Sequence, residues 1–202
     1  MKKRGQFICI EGLDASGKTT QSKLLVKIFL KKGFKAVYTT EPSHGKIGRL
    51  IRTHVLLGKN RLSVALEALL FAADRVDHLE REVLPALQTG KIIVSDRYLY
   101  SSLAYQGAAG LDLKWIEEIN KWAIKPDLAI YVDIPPEVVL KRLKRKKSVM
   151  ETLQNQQLVR EIYVKLIKEH DLRIVDGNKS KKEVANEILK VVADFRSARD
   201  AR

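Results

Sequence analysis

The sequence predicts an α/β protein in three layers, a parallel sheet of five strands with helices on both faces. Three observations lead there. An apolar run at residues 7–10 passes into a glycine loop that ends in Gly17-Lys18-Thr19. Five short β-type runs, at 6–10, 35–39, 91–95, 128–133 and 173–176, alternate with segments of helical apolar spacing. The chemically interesting residues stand just beyond the first four runs, where open α/β sheets collect ligands: the glycine loop, Glu41 and Pro42, Asp96 and Arg97, and Pro135 and Pro136.

The loop Gly12-Leu13-Asp14-Ala15-Ser16-Gly17-Lys18-Thr19 fits the phosphate-binding pattern G-x4-G-K-[ST]. Its glycines let the backbone turn tightly enough for successive N–H groups to face one phosphate, and the following helix adds its positive dipole end. That helix is read from Leu24, Leu25, Ile28 and Phe29, which recur at helical spacing. Lys18 is placed to bridge the outer phosphates and Thr19 to hold magnesium. An ordinary flexible loop needs neither the strand before it nor the helix after it. A nucleoside triphosphate is the expected ligand.

The second run is followed by Glu41 and Pro42. An apolar-periodic helix over 62–87 then carries Leu66, Leu69, Leu70, Phe71, Val76 and Leu79, with Asp74 and Arg75 set among them. Its apolar stripe serves either the core or a dimer face. Beyond the third run stand Asp96-Arg97-Tyr98. An Asp there can organise magnesium and an Arg can grip phosphate through two hydrogen bonds. A strand-terminal salt bridge is the plain alternative, and the neighbouring glycine loop weighs against it. Trp115 and Trp122, seven residues apart, are expected to pack on one side of a helix against the core.

After the fourth run, Pro135-Pro136-Glu137 opens a new helix, which leads into the densest basic run of the chain at 141–147. That run reads as a lid closing cations over transferring phosphates, or as a solvated helix end or nucleic-acid patch. It has no interleaved aromatics, which argues against a single-strand stacking platform. The polar tail from about 196 to 202 is expected to be disordered.

The 202 residues carry 38 Lys and Arg against 24 Asp and Glu, a net charge of +14 that implies an anionic partner, either nucleic acid or small phosphorylated molecules. Charge alone does not choose between them. With 45% apolar residues, no linker and no repeat, one domain over 1–202 is expected, with a lid at approximately 141–155. No apolar stretch approaches membrane-helix length and no signal-peptide pattern is present, so the expected location is the cytoplasm. Cys9 is the only cysteine, expected in the core; His44, His54, His78 and His170 match no metal-ligand spacing and are assigned to surface or capping positions.

Several motifs taken together are more specific. Glu11 to Thr20, the turn at 39–42, Leu69-Leu70-Phe71-Ala72-Ala73-Asp74-Arg75, Asp96-Arg97-Tyr98 with Ser102-Leu103-Ala104-Tyr105-Gln106-Gly107, and Pro126-Asp127-Leu128 with Tyr131-Val132-Asp133 occur in this order. Over nearly the whole chain they resemble the thymidylate kinase family. The resemblance implies a P-loop kinase three-layer fold with a short lid. It also implies phosphoryl transfer from Mg-ATP to dTMP giving dTDP and ADP, a homodimer, and no nucleic-acid partner.

Carried over by position, the resemblance assigns ATP binding to Gly12, Leu13, Asp14, Ala15, Ser16, Gly17, Lys18, Thr19 and Thr20. Phe71 becomes the surface on which thymine stacks, Arg75 and Gln106 the donors and acceptors at its edge, and Ser102 a lining residue. Tyr105 falls where the family discriminates against a ribose 2′-hydroxyl, and Glu41 and Pro42 fall on the acceptor side. Asp14 contacts the acceptor sugar or the magnesium shell, Arg97 binds phosphate, and Thr19, Asp14 and Asp96 form the metal set. Glu151 lies where some lids carry a glutamate.

The chain departs from the family at Thr40 and Ala15, where many or some members carry Arg. The second departure implies that the lid supplies the missing cation, with Arg142 and Arg145 as candidates and Arg52 a candidate for the acceptor phosphate. The chemistry agrees with a site rich in cations. A phosphate monoester has a second pKa of about 6, so the attacking oxygen needs no strong base. Two other functions stay open on the residues: a broader or diverged nucleoside monophosphate kinase, which Thr40 and the turn Ser43-His44-Gly45 allow, and a P-loop protein that binds polyanions.

Overall fold

In the computed structural model, which describes residues 4–56, 62–143 and 152–201, alternate residues of the first strand serve two different cores. β1 (Gln6–Gly12) sends Phe7 and Cys9 to one and Ile8 and Ile10 to the other. Period-two alternation of wholly apolar side chains is what a strand covered on both faces requires. β2 (Ala36–Thr40), β3 (Ile92–Asp96), β4 (Leu128–Asp133) and β5 (Arg173–Asp176) complete one five-stranded sheet in the order β2-β3-β1-β4-β5. Every strand pair is parallel.

The helices are α1 (Lys18–Lys31), α2 (Lys46–Leu50), α3 (Val64–His78), α4 (Leu84–Gln88), α5 (Leu99–Ala108), α6 (Leu113–Ile119), α7 (Pro136–Arg142), α8 (Leu153–His170) and α9 (Lys181–Asp200). One face of the sheet is covered by α1 and α9, through Leu25, Val26 and Phe29 and through Val184, Ile188 and Val192. The other is covered by α5, α6 and α8 and by Leu79, Val83 and Leu87. Each fully buried Leu, Ile or Phe contributes roughly 1.5–3 kcal/mol of transfer free energy.

The helix expected over 62–87 is present. Ser63 caps it by accepting from Leu66 N at 3.3 Å, and α3 runs through a π-helical turn at Leu79–Val83 into α4. Its apolar stripe is divided: Ala68 and Ala72 are buried, whereas Leu66 and Leu69 remain 44% and 46% exposed.

Two expectations are corrected. Trp115 packs against the core, but α6 ends at Ile119, and Trp122 lies beyond it with 74% of its surface exposed. The tail is not disordered through Asp200: a capping box between Ser180 and Glu183 starts α9, which runs to Asp200, with Arg196 over the Phe34 ring at 4.1 Å. Residues 144–151, most of the expected lid with Arg145 and Glu151, lie outside the described residues. Among the described residues, no helix is long and apolar enough to cross a membrane.

Candidate active site

The loop after β1 needs its glycine at position 12 for two reasons. Its φ is 146°, in the region that side chains disfavour, and a Cβ there would lie 2.7 Å from Val132 O at the end of β4. Gly17, at φ 98°, hands the chain to α1. Lys18 is buried and donates from Nζ to Leu13 O at 2.5 Å. Burial, with the nearby Arg97 charge, pulls its ammonium down to about 8, against the opposing pull of Asp14 and Asp96. Thr19 Oγ1 donates to Asp96 Oδ2. The other oxygen, Asp96 Oδ1, is buried with no hydrogen-bond partner among the described residues.

Arg97 follows β3 with φ 72°, rare for a residue with a side chain. Its backbone is pinned from β1: Arg97 N donates to Ile10 O at 3.0 Å, and Tyr98 N donates to Glu11 Oε1 at 2.9 Å. The guanidinium then reaches Asp14 Oδ1 at 2.6 Å and Ser101 Oγ at 2.9 Å, and lies 4.9 Å from the Tyr105 ring centre. Tyr105 Oη accepts from Asp14 N at 3.0 Å, which ties α5 to the loop. Glu11 has no exposed surface and also accepts from Ser101 Oγ at 2.6 Å and Tyr163 Oη at 3.1 Å. Burial nevertheless pushes its carboxyl up to about 7.

The turn after β2 is held from α3. Arg75 donates from Nε and Nη2 to Glu41 Oε2 at 3.0 and 2.8 Å, from Nη2 to Ser102 Oγ at 2.9 Å, and from Nη1 to Asn120 Oδ1. Its neighbour Asp74 accepts from Ser43 N and Ser43 Oγ, each at 2.6 Å. Arg52 donates to the carbonyls of Pro42 and Ser43. His78 is not on the surface, as the sequence reading had it. It is fully buried between Thr39 and Glu41. Its position four residues after Asp74 and three after Arg75 puts it on the same helix face, a signal that was present in the sequence.

These elements enclose a cleft of about 400 Å³ at the carboxyl ends of the strands. Asp14, Ala15, Gly17, Lys18, Thr19 and Thr20 line it from the loop, Thr40 and Glu41 from β2, Asp96 and Arg97 from β3, and Arg142 from α7. Arg142 also faces Gly177 O at 3.4 Å. Leu13 and Ser16 are buried beneath the loop. Phe71, Arg75, Ser102, Tyr105 and Gln106 form no part of that lining. Phe71 is half-buried on α3, and Ser102 and Gln106 are buried on α5. Gln106 Oε1 has no hydrogen-bond partner among the described residues.

The sequence reading missed two supports of this site: the bond of Tyr163 to Glu11, and His78.

The family described as thymidylate kinase matches residues 10–188. A probable thymidylate kinase of Pyrococcus abyssi (strain GE5 / Orsay) is 45% identical over 197 residues, covering 94% of this chain and 96% of that protein. One from Pyrobaculum aerophilum is 39% identical over 189 residues, covering 92% and 95%. The thymidylate kinase of Thermoanaerobacter sp. (strain X514) is 38% identical over 201 residues, covering 95% and 99%. A family match over most of the length, joined to this identity along nearly the full chain, means that the chain belongs to the thymidylate kinase family.

Proposed function

We propose that this chain transfers the γ-phosphoryl group of Mg-ATP to dTMP, giving dTDP and ADP, as a cytoplasmic enzyme. The observation that carries the reading is the convergence in one cleft of the phosphate loop, Asp96 with a buried oxygen that has no hydrogen-bond partner among the described residues, and Arg97 braced on Asp14. Donor phosphates fit the N–H groups of the loop and Lys18. The acceptor enters from the side of Glu41 and Arg97.

The residues present fit a magnesium ion, because Asp96 Oδ1 is a buried acceptor that no donor among the described residues uses, beside Thr19 Oγ1. Bound there, the ion would draw off charge from the phosphate oxygens. Among the described residues no His or Cys lines the cleft, and none is needed, because the monoester oxygen of dTMP is already mostly deprotonated. What the protein must supply is neutralisation and alignment. Two like charges 4 Å apart interact by about 4 kcal/mol at an effective dielectric of 20, so the cations Lys18, Arg97 and Arg142 act directly on the barrier. Arg97 is held at its guanidinium by Asp14 and Ser101, so little reorganisation accompanies the reaction.

On the acceptor side, Phe71 offers a ring for stacking, and the unused Gln106 Oε1 matches the N3–H donor of thymine. Tyr105, fixed by Asp14 and Arg97, is assigned in this reading to the sugar of the acceptor. Leu66 and Leu69, exposed on α3, form an apolar face for a second copy of the chain, so a homodimer is part of the proposal. Sedimentation of the free protein tests that element separately. The function itself is tested by 31P NMR of Mg-ATP with dTMP: dTDP and ADP should appear in equal amounts, whereas ADP with inorganic phosphate and no dTDP would overturn the reading.

A further inference from the structure

His78 has no exposed surface and does not line the cleft, and the transfer described above makes no use of it. Both ring nitrogens face oxygen. Nδ1 lies 3.2 Å from Glu41 Oε1, and Nε2 lies 2.6 Å from Thr39 Oγ1 and 3.1 Å from Glu82 Oε2. The single hydroxyl proton of Thr39 serves either Glu82 Oε2 at 3.0 Å or the ring, and in both cases Nε2 still faces the carboxylate oxygen Glu82 Oε2 at 3.1 Å. Glu41, gripped at Oε2 by two donors of Arg75, offers Oε1 to Nδ1 as an acceptor too.

A neutral imidazole has one N–H and one lone pair. Either tautomer would therefore aim a lone pair at an oxygen lone pair in a buried site, where an unmade hydrogen bond is most costly. A ring that donates from both nitrogens satisfies every oxygen around it. The charges then balance, with His78 and Arg75 as cations against Glu41 and Glu82, while Arg81 approaches Glu82 from outside at 3.8 Å.

We propose that His78 is a positioning residue, a doubly protonated strut that ties Glu41 at the cleft to Thr39 on β2 and to Glu82 near the surface. With Oε1 held by His78, the carboxylate of Glu41 has one orientation, and the guanidinium of Arg75 that binds it has one orientation too. The strut thereby fixes the acceptor side, while the phosphate loop on the ATP side makes no contact with His78 among those given above. This inference rests on the reading that Glu41 and Arg75 serve dTMP.

The test has two parts, and the first needs no variant. In protein labelled with 15N-histidine, both ring nitrogens of His78 should carry a proton and show one-bond N–H couplings; a single protonated nitrogen would overturn the strut. In the second, His78→Gln keeps one donor and His78→Phe keeps none. The dissociation constant of dTMP should rise by roughly tenfold to a hundredfold in His78→Phe and by less in His78→Gln, with the ATP constant changed less than about threefold. Equal weakening of both ligands, or no weakening of dTMP, would overturn the positioning role. A wild-type protein that bound no dTMP would instead contradict the proposed function, and the ring-nitrogen signals would still decide the protonation of His78.

Discussion

Arg97 and Asp14 meet 2.6 Å apart, one from the turn after β3 and the other from the phosphate loop after β1. The pair closes a bridge between two neighbouring strand ends, since β1 and β3 are hydrogen-bonded in register from Gln6–Ile92 to Ile10–Asp96. The guanidinium is therefore held in place by the protein's own groups. This preorganisation, more than the number of charges, separates the cleft from a generic basic surface.

Replacing Arg97 with Ala should lower kcat by about 10²–10³, the usual loss for one preorganised charge stabiliser. Arg97→Lys keeps the charge but loses the fork that spans Asp14 and Ser101, so it should recover only part of that loss. Steady-state kinetics with saturating ATP and dTMP measure both.

The depressed ammonium of Lys18 makes a pH prediction. In the free protein it loses its proton as pH rises through about 8, so kcat/KM for ATP should fall about tenfold per unit above that pH. Bound phosphates favour the charged form, so the limb in kcat should lie at higher pH. Lys18→Arg, permanently charged, should retain low activity without the limb in kcat/KM.

Glu11 makes a stability prediction of definite sign. Its carboxyl is raised from 4.5 to about 7 in the folded chain. Between these values the native state holds a proton that the unfolded state has lost, so stability should decline as pH rises from about 4.5 to about 7. The shift corresponds to roughly 3 kcal/mol. Urea titrations should show this slope in the wild type and a flatter curve for Glu11→Gln.

Phe71→Ala should weaken dTMP binding by about five- to a hundredfold, the range for loss of one base–aromatic stack, with the ATP constant nearly unchanged. Calorimetric titration of each nucleotide separates the two. Equal weakening would show that Phe71 supports the fold rather than the base.

Much of this architecture was legible because it is local. The strand runs at 6–10, 35–39 and 91–95 lie within β1, β2 and β3 to one or two residues, and those at 128–133 and 173–176 coincide with β4 and β5. A buried parallel strand writes a continuous apolar run, and a phosphate loop writes its glycines. What stayed hidden depends on distance across the chain. Glu41 meets Arg75 and His78 from 34 and 37 residues away, and Glu11 meets Tyr163 from 152 residues away. Spacing does not encode those pairs; it shows only that His78 shares a helix face with Asp74 and Arg75, which by itself does not separate a buried ring from an exposed one. Trp122 departs from expectation for a local reason: the helix stops at Ile119, so the seven-residue interval from Trp115 has no common face.

The central claim is that the cleft phosphorylates dTMP in preference to other monophosphates. The most direct measurement is the rate of ADP release from Mg-ATP with dTMP, dUMP, dCMP, dGMP and dAMP in turn, with Lys18→Ala as the blank. Turnover with dTMP well above the others, and lost in the blank, is the predicted result. Comparable turnover with all five would contradict a thymine site built from Phe71, Arg75 and Gln106, and turnover with none would contradict the kinase itself.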